Sequence, residues 1–362
     1  MPESSNWTHL HAQLHRTLLH KQILPSNQRL LVAVSGGQDS LCLIKLLLDL
    51  QPKWGWQLAI AHCDHRWRSD SQSNANHVEN LAKNWGISYY LQTASEIPKT
   101  EAAARQWRYQ ALTEIAIAHN SPYIVTGHTA SDRAETLLYN LIRGSGADGL
   151  SALTWTRPLA DFRWRSPRRG SHNLDENPQS KIYLVRPLLE ITRSQTGQFC
   201  QDQKLPIWED STNQDLQYAR NRIRSQLLPY LETHFNPKAS TALAQTAELL
   251  RADVEYLELA ASHLLQQAIS PTTDNPQVQI QLPIKLNRQI LRDAPLALQR
   301  RAMRQILQQI LPSAPSFDSV EKLTSLISAP NRSQTDPFPG GAIARIEKPW
   351  IALAKPSKRI DI

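Results

Sequence analysis

The sequence predicts an α/β chain: a doubly wound, mostly parallel sheet, followed by a helical connector and a small α+β C-terminal domain. Three observations carry this. Strand-length apolar runs alternate with helix-length segments through the first 150 residues or so; the run at 30–34 stops at a double glycine and resumes as a helix; and three inferred strands end in the turns SGGQDS, HCDH and TGH. With right-handed crossovers these turns share the C-terminal edge of one sheet, where such sheets hold their ligands.

Each element follows from its pattern. Residues 7–23 space Leu10, Leu14 and Leu18 four apart, an amphipathic helix that packs on the first domain. His11 and His15 share a helical face that reads as exposed and polar, with no nearby Cys or carboxylate to complete a metal site. Leu30, Leu31, Val32, Ala33 and Val34 suit a buried parallel strand, and 41–50 a helix. Strands are expected at 57–65, in ISYYLQT and in SPYIVTGH, and helices at 71–85, 101–119 and 131–143.

From 161 to 181 the chain becomes polar and rich in Arg, Ser, Asn and Pro, an exposed insertion. Its FRWRSPRR core interleaves aromatics with arginines, which suits RNA stacking and phosphate contact as well as it suits a solvated loop. IYLVRPLLE regains strand character. A helix-rich connector spans 218–267 with breaks at Pro229 and Pro237, and 270–283 reads as a linker. Ile290, Ala294, Leu298, Ala302, Ile306 and Ile310 recur every four residues, one helix that also carries Arg292, Arg300, Arg301 and Arg304. A helix at 316–327 and a hairpin in GGAIARIEKPWIALA close the chain. The expected domains are 1–217, 218–283 and 284–362.

At 362 residues the chain is long enough for two or three domains. A formal charge of +8 favours a polyanionic partner without choosing among RNA, DNA or neither. The 3 cysteines, Cys42, Cys63 and Cys200, are too few and scattered for a disulfide framework or zinc ribbon, which fits a reducing cytoplasm. No apolar run reaches membrane-spanning length and no secretory core opens the chain.

SGGQDS is the richest motif. Gly36 and Gly37 allow backbone amides to turn toward phosphate oxygens at a helix N-terminus, and Asp39 and Ser40 sit where they can cap that helix or reach a metal. The alternative is an ordinary turn capped by Asp39. No GK[ST] follows the glycines and Lys45 lies within the helix, which excludes a lysine-bearing P-loop. In HCDHRWR, adjacent strand-end residues point alternately and no second ligand pair follows, so zinc is disfavoured; Asp64 and His65 read as edge residues facing the nucleotide or its acceptor, the alternative being loop hydrogen bonding. His128, Asp132 and Glu135 open the helix after TGH. Acids there suit the helix dipole, and Asp132 can also join Asp39 in a Mg²⁺ site. Arg105 and Arg108 share a helical face. Arg220 and Arg224 are four apart with no acid at 216 or 217, which points to an anionic partner.

SGGQDS resembles the signature of the PP-loop ATP pyrophosphatases, adenine nucleotide alpha hydrolase-like folds that let an acceptor attack the α-phosphate of ATP. SGGQDS, HCDHRWR, EAAARQWRY, GHTASDRAETLLYNLIRGSGADGL, RPLLEITR and EDSTNQDLQYARNRIRSQLLP together resemble the tRNA(Ile)-lysidine synthetase family over about 30–231. PLALQRRAMRQIL is similar to the start of that family's tRNA-binding C-terminal domain. The chain departs from the common GHHADDQAET: Thr129 follows His128, and Ser131 stands where another aspartate is usual.

The resemblance implies ligation of free L-lysine to C2 of the wobble cytidine in the CAU anticodon of tRNA(Ile), with ATP as substrate and Mg²⁺ as cofactor. It changes decoding from AUG to AUA and identity from Met to Ile. The resulting expectations are ATP contacts from Ser35, Gly36, Gly37, Gln38, Asp39, Ser40, Arg108 and Gly127, and catalytic roles for Asp39, Asp64, His128, Asp132 and Glu135. Asp39 and Asp132 are expected to hold the metal, and Arg143, Arg220, Arg222, Arg224, Arg300, Arg301 and Arg304 the tRNA. The reading places the enzyme in the cytoplasm, off the membrane, and allows a homodimer. A PP-loop tRNA thiolase is the nearest alternative, but the cysteines form no CxxC; a tRNA-binding module with a degenerate nucleotide site is another.

Overall fold

The computed structural model describes residues 7–159, 181–208, 216–269 and 282–355. Nearly all of the insertion expected at 161–181, most of the linker expected at 270–283 and all of EDSTNQD lie outside the described residues. The chain divides into two compact units, Met1–Leu250 and Arg251–Ile362, so residues of the expected connector fall in both.

The first unit opens with α1 (His9–Lys21), whose N-cap Thr8 forms a reciprocal capping box with His11. Then β1 (Arg29–Ala33), α2 (Gln38–Trp54), β2 (Gln57–Asp64), α3 (Ser71–Trp85), β3 (Ser88–Thr93), α4 (Glu101–Ala118), β4 (Tyr123–Thr126) and α5 (Ala130–Ile142) alternate as the pattern requires. A short α6 (Ala147–Leu150) and strands β5 (Thr156–Pro158) and β6 (Tyr183–Val185) complete the sheet, followed by α7 (Arg193–Asp202). The strand order is β3-β2-β1-β4-β6-β5, with β5 the antiparallel edge strand. The order reverses between β1 and β4, a topological switch point, and the loops that leave these two strands carry SGGQDS and TGH. Leu30, Val32, Leu41, Ile44 and Leu47 are fully buried in the main core, which explains the unbroken apolar character of this stretch.

Three expectations about helices are corrected. His11 is buried, not on an exposed face: its Nε2 lies 3.0 Å from Asp49 Oδ2, a carboxylate brought from α2, and His15 accepts a hydrogen bond from Trp54 Nε1 at 3.2 Å. Pro229 does not break the connector. α8 (Ala219–Arg222) runs into a π-helical turn (Ile223–Leu227) and then α9 (Leu228–His234), with Pro229 in the first turn of α9. The wider π turn, closed by Leu228 N–H to Ile223 O, makes room for a residue that has no N–H and whose ring would crowd a regular helix. Pro237 does fall in the break before α10 (Ala239–Ala268).

The third correction lies in the second unit. The four-residue repeat at 290–310 is two helices, α11 (Arg288–Asp293) and α12 (Leu296–Ile310), parted at Ala294 and Pro295, since the residue before a proline is driven to extended backbone. With α13 (Phe317–Ser325) they pack on a three-stranded antiparallel sheet of β7 (Ile284–Asn287), β8 (Ile343–Glu347) and β9 (Trp350–Ala354), ordered β7-β9-β8. Leu291, Met303, Ile306, Leu307, Leu323 and Leu353 are fully buried there. Among the described residues no helix is long and apolar enough to cross a membrane.

Candidate active site

The loop between β1 and α2 is fixed by its own serines. Ser40 Oγ donates to Gly37 O at 2.8 Å and accepts from Ser35 N–H at 3.2 Å, which closes the turn over Gly36. Gly36 has φ +86°, and a Cβ there would meet Asn74 Oδ1 at 2.5 Å; Asn74 Nδ2 meanwhile holds Ser35 O at 3.0 Å. Gly127, at the end of β4, faces the start of α2 so closely that a Cβ would lie 2.8 Å from Asp39 O. Both glycines are required by space. The N-cap of α2 is Gly37 and has no side-chain cap bond, so Asp39 is not the cap considered from sequence. The first amides of the helix are left for a ligand, the arrangement that receives phosphate.

Asp39 instead turns toward α7. Thr196 Oγ1 donates to its Oδ1, and Arg193 Nη1 lies 3.6 Å from its Oδ2. Gln38 bridges the same helices, giving hydrogen bonds to Arg193 O at 2.6 Å and Thr196 Oγ1 at 2.8 Å. Burial raises the Asp39 carboxyl above its ordinary value, with Arg193 opposing and Asp132 adding to the rise. RPLLEITR contained Arg193, but its proximity to Asp39 is tertiary; the legible local signal was Thr192, N-cap of α7 with a capping box to Gln195.

The second acidic group forms on α5. Asp132 Oδ2 accepts from Thr129 N at 2.8 Å and Thr129 Oγ1 at 2.9 Å, completing a capping box, so the helix-start explanation of this acid holds. Its Oδ1 accepts from Arg224 Nη2 at 3.0 Å. Arg224 also grips Glu135 in a fork, Nε to Oε1 at 2.6 Å and Nη2 to Oε2 at 2.9 Å. Arg220 meets Glu101 at 3.2 Å. The premise that these arginines lack acidic partners is therefore corrected: the acids come from α4 and α5, about 90 residues or more away in sequence.

These environments separate the titrating groups. Burial opposes ionisation of Asp132, but His128 where it is protonated at low pH, the Arg224 guanidinium and the two Thr129 hydrogen bonds outweigh it and hold the carboxyl below its ordinary value. Glu135 is raised by burial despite Arg224. His128, whose Nδ1 pairs with Thr126 Oγ1 at 2.9 Å, is pushed down to about 3 by burial and then by Arg186, so its imidazole is neutral near pH 7.

Two adjoining cavities organise these residues. One, about 350 Å³, is lined by Ser35, Gly37, Gln38, Asp39, Ser40 and Gly127 together with Asp132. The other, about 610 Å³, is lined by Asp64, Glu135, Arg220 and Asn74. Both share His65, Arg68, Arg108, His128, Asp132 and Arg224 as wall. Asp64 lines the larger one and accepts from Arg66 N–H at 2.7 Å, the loop hydrogen bond of the alternative reading. Ser131 does not line either cavity; its Oγ accepts from Arg193 N–H at 3.1 Å. Asp39 and Asp132 both line the smaller cavity without it. Among the described residues no group of three or more His, Cys, Asp or Glu could hold a metal, so a cation here would rely on two carboxylates and on ligand oxygens.

The remaining expected arginines are placed elsewhere. Arg143 donates to Tyr139 Oη at 2.9 Å at the end of α5, and Arg222 donates to the carbonyls of Leu216 and Gln217. In the second unit Arg300 forks onto Glu321 at 2.6 and 2.9 Å, Arg301 meets Glu258 at 2.6 Å, and burial lowers Arg304. Arg300 and Arg301 are thus paired with acids of their own unit.

Residues 8–231 match the PP-loop domain family and 286–348 the TilS substrate binding domain family. The chain is 63% identical over 357 residues to a tRNA(Ile)-lysidine synthase from Nostoc sp., covering 98% of this chain and 99% of that one. It is 50% identical to the Synechocystis sp. protein of the same name, covering 95% and 97%. A chloroplastic tRNA(Ile)-lysidine synthase from Zygnema circumcarinatum shares 42% identity over 86% of this chain and 78% of its own. Among solved structures, the U34-tRNA thiolase NcsA from Methanococcus maripaludis superposes with a TM-score of 0.52 at 17% identity, over 67% of this chain and 77% of that one, a likeness of fold. By sequence, extent and domain content, the chain belongs to the tRNA(Ile)-lysidine synthase family.

Proposed function

We propose that the chain ligates free L-lysine to C2 of the wobble cytidine of a CAU-anticodon tRNA(Ile), through an adenylated base, in the cytoplasm. The observation that carries this reading is the shared wall of the two cavities: a phosphate-cradling loop opens directly beside a separate space lined by Asp64, Asp132, Glu135 and Arg220. One molecule can present its α-phosphate where another presents a nucleophile. Relatives named tRNA(Ile)-lysidine synthase support the choice of that second molecule.

In the first step the cytidine O2 attacks the α-phosphate of ATP and pyrophosphate leaves. The loop amides at Gly37 and Gln38 hold the departing phosphates, and Arg193 and Arg224 offset negative charge near Asp39 and Asp132. Asp39 and Asp132 would hold Mg²⁺, which neutralises phosphate charge when bound; two carboxylates plus substrate oxygens suit that ion. In the second step the ε-amine of lysine attacks C2, the base loses AMP, and one proton must leave the nitrogen.

An ammonium with a pKa near 10.4 is neutral about once in a few thousand molecules at pH 7. Glu135, raised by burial and lining the acceptor cavity, is suited to take that proton. Arg224 keeps the carboxylate oriented and must yield part of its fork for a substrate ammonium to approach.

Pyrophosphate release that requires both ATP and the CAU-anticodon tRNA is the expected result. Release that ignores the tRNA would contradict the reading, as would an Asp39→Ala variant with normal adenylation and Mg²⁺ dependence.

A further inference from the structure

The acceptor cavity carries an aromatic wall that the reaction outlined above does not use. Asp64 ends β2, and its Oδ1 accepts the Arg66 backbone N–H at 2.7 Å. Arg66 takes the left-handed conformation at φ 62°, a strained position for a side chain of this size. This turn folds the residues on either side of Arg66 onto each other: the rings of His65 and Trp67 stack with centroids 5.6 Å apart and planes inclined by 29°.

The pair is held from three directions. Trp107 on α4 meets His65 edge-on at 5.5 Å. Arg108, the next residue, donates from Nη2 to His65 Nε2 at 2.9 Å. The Trp67 indole N–H donates to Pro98 O at 2.7 Å, which fixes the polar edge of the ring and leaves its π surface as what it can offer a ligand. Both stacked residues line the 610 Å³ cavity, and Trp67 remains 37% exposed there. Only His65 reaches the smaller, phosphate-loop cavity.

We propose that the His65–Trp67 stack is the wall against which the reacting pyrimidine lies, an assignment that rests on the RNA-ligation reading above. A base drawn out of an anticodon loop loses the stacking of its neighbours, and a preformed aromatic face replaces it without sequence preference. The surroundings match the rest of a nucleotide. Arg68, Lys99, Arg105 and Arg220 line the same cavity and suit the flanking phosphates, while Asp132, shared with the loop cavity, and Glu135 line it as well. The adenine of ATP is the competing occupant. Because Trp67 borders the acceptor cavity and not the loop cavity, the wall serves the RNA base.

The test compares Trp67→Ala and Trp67→Phe with wild type by pyrophosphate release, varying tRNA at saturating ATP and ATP at saturating tRNA. Trp67→Ala should raise the KM for tRNA about tenfold. Its KM for ATP should stay within about twofold, showing that the nucleotide site has folded, and Trp67→Phe, which keeps a ring, should recover most of the loss. An unchanged tRNA KM in Trp67→Ala overturns the assignment. So does an equal rise in the KM for ATP, which would give the wall to adenine or to the fold. A wild type that releases no pyrophosphate with tRNA and ATP sinks the ligation reading and the wall with it, whereas an active wild type with an unmoved Trp67→Ala sinks the wall alone.

Discussion

Arg224 and Glu135, 89 residues apart in sequence, form a two-bond fork at 2.6 and 2.9 Å, and the same guanidinium reaches Asp132 at 3.0 Å. One cation therefore compensates two enclosed carboxylates across α5 and the π turn. Removing it takes the fork from Glu135 and leaves Asp132 only its Thr129 hydrogen bonds and the nearby His128. Arg224→Ala should lower stability by about 3 kcal/mol and abolish ligation. In a double-mutant cycle with Glu135→Gln the losses should fall well short of additive; additive losses in urea unfolding would contradict this coupling.

Gly36→Ala tests the loop. Its φ of +86° and the 2.5 Å approach to Asn74 Oδ1 leave no relaxed position for a methyl group. ATP affinity, measured by equilibrium binding, should fall about tenfold or more, since strain of this kind costs roughly 1–3 kcal/mol. Wild-type affinity would show that the loop does not hold this conformation when it binds.

Asp49 offers a pH test remote from the site. Burial opposes its ionisation, but hydrogen bonds from His11 and Lys45 prevail and hold it below its ordinary value of 3.8. Its stabilisation is therefore complete above 3.8 and is lost as pH falls through the lowered folded value. Asp49→Ala should cost about 2 kcal/mol at pH 7, and the gap from wild type in urea melts should narrow toward pH 3. A gap independent of pH would contradict the assignment.

Glu135 makes the opposite prediction for rate. Burial lifts its carboxyl above the ordinary 4.5, so the base-competent form appears only as pH rises through that raised value. Single-turnover attack of lysine on adenylated tRNA should show this acid limb. Glu135→Gln should flatten the limb and slow the step about a hundredfold while adenylation persists. A limb unchanged in Glu135→Gln would assign the base elsewhere.

The α/β alternation, the switch-point loops and the helix limits of 71–85 were legible because each depends on local pattern: buried parallel strands are uniformly apolar, and glycine marks the turns. What escaped was pairing at a distance. His11 looked exposed because Asp49 comes from another helix, and Arg220 and Arg224 looked unpaired because Glu101 and Glu135 come from α4 and α5. The antiparallel β5 is too short, at three residues, to show a period. Pro229 was misplaced as a break because a π turn absorbs it, a backbone choice that composition does not signal.

The most direct test of the central claim is incubation with ATP, labelled lysine and a CAU-anticodon tRNA(Ile) transcript, beside a transcript whose wobble C is replaced by U. The account predicts label in the first tRNA, with release of AMP and pyrophosphate, and essentially none in the second. Equal labelling of both, or labelling of neither by the active protein, would contradict it.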